Sequence, residues 1–176
     1  MSNIKDRFEE VKKMTPYERV NQIQDIYLED AIKSGFLASF LSGKNGFRLE
    51  GHSEMSVTRI SAVWDAIYRY HAKNPEVKLN SLVEDALIEL SGKGPVHVYA
   101  ALDAIQCHLE NEKRGIATFS IKNPQVYEAL KQGIIRHKTL FENNPNFRGK
   151  LYSNHIMGYA EEVDKQVQAQ TGFKIL

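Results

Sequence analysis

The sequence predicts an all-α protein, a helical bundle of about six to eight helices. Three observations carry that expectation. Apolar residues recur at three- and four-residue spacing through most of the chain. Prolines and most glycines fall at the ends of those periodic stretches rather than inside them. No alternation of strand-like and helix-like segments suggests a parallel sheet. At 176 residues the chain is long enough to bury a real core, and a single domain over 1–176 is the expected organisation.

The elements follow in order. Residues 3–13 place Ile4, Phe8 and Val11 on one helical face. Thr15-Pro16-Tyr17-Glu18 then starts a second helix: Thr15 caps it, Pro16 takes the first turn, and Glu18 reaches back as in a capping box. Val20, Ile23, Tyr27 and Ala31 carry its apolar face to about Lys33, and Ser34-Gly35 weakens the pattern. Phe36, Leu37, Phe40 and Leu41 form a further helical piece. Ser42–Ser53 is the clearest loop; Asn45-Gly46 is a turn signal, and a small hairpin or a long interhelical loop fits it equally. From Ser56 a helix carries Ile60, Val63, Trp64, Ile67 and His71 on one side, with Asp65 and Arg69 spaced for an i,i+4 pair on the other. Asn74-Pro75 ends it.

Residues 80–91 give an apolar face of Leu79, Leu82, Val83, Ala86, Leu87 and Leu90 and a locally acidic one. The most strongly punctuated stretch is Gly92–Gly115. Pro95 sits at the first helical position, where its missing N–H is no loss, and Lys113-Arg114-Gly115 makes a basic, glycine-terminated end. Val98, Leu102, Ile105 and Leu109 form one stripe; Val96, Ala100, Ala104 and Cys107 form a second, smaller one. Asp103, Gln106 and Glu110 keep a polar strip, so this reads as the central core helix. Ile116–Ile121 is β-branched and roughly alternating, a short extended segment. Asn123-Pro124 restarts a helix with Val126, Leu130, Ile134, His137 and Phe141 aligned, broken at Asn143-Asn144-Pro145. The last helix runs from about Gly149 to Gln170 with Tyr152, Ile156, Tyr159, Val163 and Val167 in register, and leaves an apolar tail.

Composition narrows the function. A net charge of +1 gives no global reason to expect nucleic acid or an anionic membrane as partner. The start of the chain, MSNIKDRFEEVKKM, is charged throughout and has no apolar stretch of the kind a secretory signal needs. No run approaches the roughly 20 apolar residues that span a bilayer. The single Cys107 permits no intrachain disulfide, which fits a cytoplasmic protein.

Catalytic signatures are sparse. His108 and Glu112 share a helix face, half of a helical metal site, but His97 lies eleven residues before His108, roughly 16 Å along a helix. Structural histidines are therefore expected, with no metal and no cofactor. Cys107 is expected to be a buried, inert thiol, since adjacent helix residues such as His108 point away from it. Gly92-Lys93-Gly94-Pro95 lacks phosphate-loop spacing, and its proline removes a donor, so it reads as a turn. His71 and His137 sit on apolar faces as core or rim histidines, and the tyrosines recur along helix faces as packing aromatics.

Arg148 and His155, in RGKLYSNH, are two helical turns apart on nearly one face. This resembles the R-x4–6-H motif of the HEPN all-α domains, many of which are ribonucleases. The resemblance implies a metal-independent RNA cleavage in which Arg148 stabilises phosphate charge, His155 transfers a proton and Asn154 assists. It covers eight residues, and Gly149 stands where the family usually has a polar residue.

The balance of absences favours a protein-binding protein over an enzyme. In size, charge and architecture the chain is similar to bacterial immunity proteins, which bind and inhibit a toxin. The resemblance implies inhibition by occlusion of a partner's active site. The expected surface combines the loop residues Lys44, Arg48, Glu50 and His52 with an acidic strip of Glu76, Glu84, Asp85 and Glu89, suited to a basic toxin or nuclease domain. The alternatives are the HEPN-like ribonuclease, the one reading that involves nucleic acid, and a helical regulatory or scaffold subunit.

Overall fold

The computed structural model describes residues 4–42, 60–143 and 149–176. Eight helices account for the regular structure of these residues: α1 (Ile4–Val11), α2 (Pro16–Ser34), α3 (Leu37–Leu41), α4 (Ile60–Lys73), α5 (Leu79–Ser91), α6 (Pro95–Lys113), α7 (Pro124–Asn143) and α8 (Gly149–Thr171). No strand occurs among the described residues, so the all-α expectation holds. Residues 116–123, expected to be extended, run as irregular chain without strand pairing. The Asn45-Gly46 turn and the start at Ser56 lie outside the described residues. The chain forms two compact units, Met1–Leu79 and Asn80–Leu176.

In the first unit α2 packs on α1, α3 and α4. Its start is the capping box read from the sequence. Thr15 Oγ1 accepts the Glu18 N–H at 3.3 Å, and Glu18 Oε2 accepts the Thr15 N–H at 3.4 Å, an arrangement worth about 1 kcal/mol. Gly35 ends α2 in the left-handed region at φ 76°, where a Cβ would be strained. The core holds Ile23, Ile26 and Leu28 from α2, Phe40 and Leu41 from α3, and Val63, Trp64 and Ile67 from α4, all essentially inaccessible. Each such side chain contributes about 2 kcal/mol, so apolar burial outweighs exposed pairs such as Lys12–Glu9.

Charged groups fix the orientation of these helices. Arg69 of α4 donates to Asp25 Oδ1 of α2 from both Nη2 (2.8 Å) and Nε (3.2 Å). This replaces the expected Arg69–Asp65 pair within α4: a half-buried carboxylate across the seam is the better partner for a guanidinium than an exposed one on the same helix, because less water competes for the charge. Arg7 of α1 pairs with Glu29 of α2 in the same way.

In the second unit α6 packs against α7 and α8, which also pack on each other. The buried face of α6 carries Val98, Leu102, Ile105 and Leu109, as the spacing predicts, together with Ala101, Ala104 and His108. The small-residue stripe is only partly covered: Ala104 is buried, Cys107 is half-buried and Val96 is exposed. The polar strip does not simply face water. Asp103 accepts from the Tyr159 hydroxyl at 3.0 Å and Glu110 from Gln166 Nε2 at 2.8 Å, both on α8, and Gln170 Nε2 reaches the Leu109 carbonyl at 3.0 Å. A row of hydrogen bonds thus runs along the α6–α8 seam beside the apolar core.

Candidate functional site

The acidic strip is best built from α5 upward. Leu79, Val83, Ala86, Leu87 and Leu90 are buried, which fixes the rotation of the helix. Leu82, Asp85 and Glu89 then fall three and four residues apart on one outward line, and all three are exposed. Leu82 is 39 % exposed, so it is not the core residue the periodicity suggested. Asp85 has no salt-bridge partner among the described residues, and Glu89 makes only a long, exposed pair with Lys93 at 3.5 Å. The result is an apolar side chain in line with two accessible carboxylates.

Glu84 behaves differently. It is buried, and its Oε2 accepts the Asn123 N–H at 2.7 Å, just before α7 begins. A carboxylate there satisfies a donor and favours the positive end of the helix. Glu84 therefore holds the fold together and does not belong to the exposed line. Glu76 is exposed in the turn after α4, in the first unit. Lys44, Arg48, Glu50 and His52 lie outside the described residues. So does Arg148, and so do the side chains of Asn154 and His155, although both positions fall within α8.

The histidines resolve into structural parts. His108 is fully buried, with Nε2 3.0 Å from Glu112 Oε1 and its ring stacked on Phe119 at 5.5 Å. Burial pushes its pKa down to about 4, against a hydrogen bond to the Phe119 backbone that works the other way. Burial also raises the Glu112 carboxyl, opposed by the Ser120 hydroxyl, the Ile121 backbone and Lys122. No group of three or more His, Cys, Asp or Glu residues placed to hold a metal occurs among the described residues.

The Gly92-Lys93-Gly94 turn presents carbonyls to cations. Arg136 Nη2 of α7 donates to the Ser91 carbonyl at 2.9 Å and the Lys93 carbonyl at 3.0 Å. His137, buried beside it, engages the backbone of Lys93 and Gly94 and is shifted down, chiefly by burial. Oxygens directed at a guanidinium do not suit a phosphate. Of the basic residues near the end of α7, Arg136 is thereby occupied by the fold.

Two tyrosines meet at the α6–α8 seam, with the Tyr99 and Tyr159 rings edge to face at 5.3 Å. Burial and the neighbouring Asp103 raise both phenols, so each stays protonated through neutral pH, and the Tyr159 hydroxyl donates to Asp103. The feature that sequence reasoning missed is Leu82. Its only signal was its place at the margin of the apolar arc, one residue before the fully buried Val83.

Compared with protein-family models, curated proteins and solved structures, the chain matches none. Among the described residues no helix is long and apolar enough to cross a membrane.

Proposed function

We propose that the protein works by binding another protein, as an immunity-type inhibitor that covers the active site of a basic toxin or nuclease domain in the cytoplasm. The observation that carries this reading is the exposed line Leu82–Asp85–Glu89 on α5. An accessible leucine supplies an apolar anchor, and the carboxylates beside it attract a basic surface and accelerate encounter. Glu84, enclosed by the fold, takes no part; Glu76 belongs to the surface only if the first unit also contacts the partner. Cys107, half-buried and in no disulfide, accords with a reducing compartment.

The test uses the partner that co-purifies with the full chain. Association and dissociation rates are measured at low and moderate salt for the wild type, Asp85→Lys/Glu89→Lys and Leu82→Ala. Charge reversal should slow association by about tenfold at low salt and flatten its salt dependence. Leu82→Ala should act mainly on dissociation. Unchanged rates in both variants would remove this face from the interface.

A further inference from the structure

A cavity of about 250 Å³ opens in the second unit. Glu112 at the end of α6, Ser120 to Lys122 of the following irregular segment, and Gln170, Thr171 and Phe173 at the end of α8 line it. Most of its polar lining is already occupied. Glu112 takes the His108 contact and hydrogen bonds from the Ser120 hydroxyl and the Ile121 backbone. Gln170 donates to the Leu109 carbonyl and accepts from Gln166. The Thr171 hydroxyl donates to the Val167 carbonyl and accepts the Phe173 N–H. Lys122 is the exception: its ammonium is exposed and makes no salt bridge among the described residues, although its charge reaches Glu112. Apolar surface comes from Ile121, itself buried, and from the Phe173 ring, which is backed by Tyr127 at 5.0 Å.

We propose that this cavity binds a small monocarboxylate with a short apolar body, its carboxylate on Lys122 and its body against Ile121 and Phe173. Lys122 is the one basic side chain of the lining, and the Glu112 carboxyl is already enclosed by its own donors. A cation would compete with the donors already on Glu112 and meet Lys122 as a like charge. A phosphate dianion would find a single ammonium to balance its two charges, and the Ile121 N–H is already turned to Glu112. The volume is below the roughly 300–1,000 Å³ of pockets for drug-sized ligands, which limits the body to one ring or a short chain.

Isothermal titration of the full chain with hexanoate and benzoate tests the site, with hexanol and hexylamine as matched controls. Saturable low-millimolar or tighter binding is expected for the acids, with affinity about tenfold weaker for the controls. Lys122→Gln, a change at an exposed side chain, should weaken acid binding by about the same factor and leave the thermal midpoint unchanged. Phe173→Leu should weaken acid and alcohol alike. A short peptide with a free C-terminal leucine carries the same carboxylate, and tighter binding of it than of hexanoate would overturn the assignment to a small acid. The proposal also fails if no acid binds, if hexanol binds equally well, or if Lys122→Gln binds like the wild type.

Discussion

His108 Nε2 lies 3.0 Å from Glu112 Oε1, one helical turn further along α6. A neutral imidazole has one N–H, and the ring already donates to the Phe119 backbone, which leaves Nε2 as an acceptor. Glu112 supplies the complementary group when it carries a proton. Burial lowers the histidine and raises the carboxyl, so both shifts favour the pair with no net charge, imidazole beside carboxylic acid.

A pH dependence follows from His108. Its pKa falls from 6.5 to about 4 on folding, so between those values the unfolded chain holds more protons than the folded one. Stability should therefore fall as pH drops through that window, by an amount on the order of 3 kcal/mol from this group alone. Glu112 opposes it: a carboxyl raised on folding contributes stability at low pH that is lost as pH rises through its folded value. Chemical denaturation between neutral pH and pH ~4 should show a shallower slope for His108→Phe and a steeper one for Glu112→Gln. An identical slope in His108→Phe would contradict the assignment.

Neighbouring carboxylates on α5 should separate cleanly. Glu84→Ala leaves the Asn123 N–H without its 2.7 Å acceptor and should cost about 2 kcal/mol. Asp85→Ala, at an exposed position, should stay within about 0.5 kcal/mol. Urea denaturation of the two variants decides whether adjacent acids divide between fold and surface as described.

What the sequence made legible was local. Thr15-Pro16-Tyr17-Glu18 announces α2 because cap, proline and returning glutamate all act within one turn, and Asn123-Pro124 announces α7 by cap and proline alone, with Asn123 Oδ1 accepting the Gln125 N–H. What it concealed depends on partners distant in the chain. Arg69 has Asp65 within helical reach yet bonds Asp25, forty-four residues away. Asp103 and Glu110 look like a solvated strip until α8 brings Tyr159 and Gln166 to them. Glu84 and Asp85 are indistinguishable by composition, and the path of residues 116–123 decides which of them is enclosed. The candidate surface was legible to the level of its helix and its charge, while Leu82 required the rotation of α5 to be known.

Two helical glycines should respond in opposite directions to alanine. A Cβ on Gly133 of α7 would lie 2.6 Å from the Ser91 carbonyl oxygen and 3.0 Å from Val98 Cγ2. The first is backbone held by Arg136, so it cannot step aside cheaply. Gly158 of α8 has nothing within 4 Å. Alanine gains about 1 kcal/mol of helix propensity at either site. Gly158→Ala should keep most of that as a raised melting temperature, whereas Gly133→Ala should lose about 2 kcal/mol net to overpacking. Stabilisation by Gly133→Ala would show that α7 and the 91–94 turn are not in close contact.

Asp164 determines how the C-terminal tail is held. Its Oδ1 accepts the N–H groups of Ile175 (2.8 Å) and Leu176 (3.3 Å), and its Oδ2 accepts Gln168 Nε2 at 2.6 Å. Ile175 is completely buried. Alanine at 164 offers the tail two unfavourable choices. If it stays docked, a buried N–H loses a charged acceptor, at about 2 kcal/mol; if it leaves, the Ile175 side chain enters water, at a similar cost. Asp164→Ala should therefore lower stability by roughly 2–3 kcal/mol by either route. Hydrogen exchange separates them. A released tail exchanges the Ile175 amide at nearly the unfolded rate while the α6 amides remain protected, whereas a docked tail keeps its protection. Asp164→Asn, which retains an acceptor oxygen without the charge, should fall between alanine and wild type. Full stability and full Ile175 protection in Asp164→Ala would mean that apolar burial alone holds the tail.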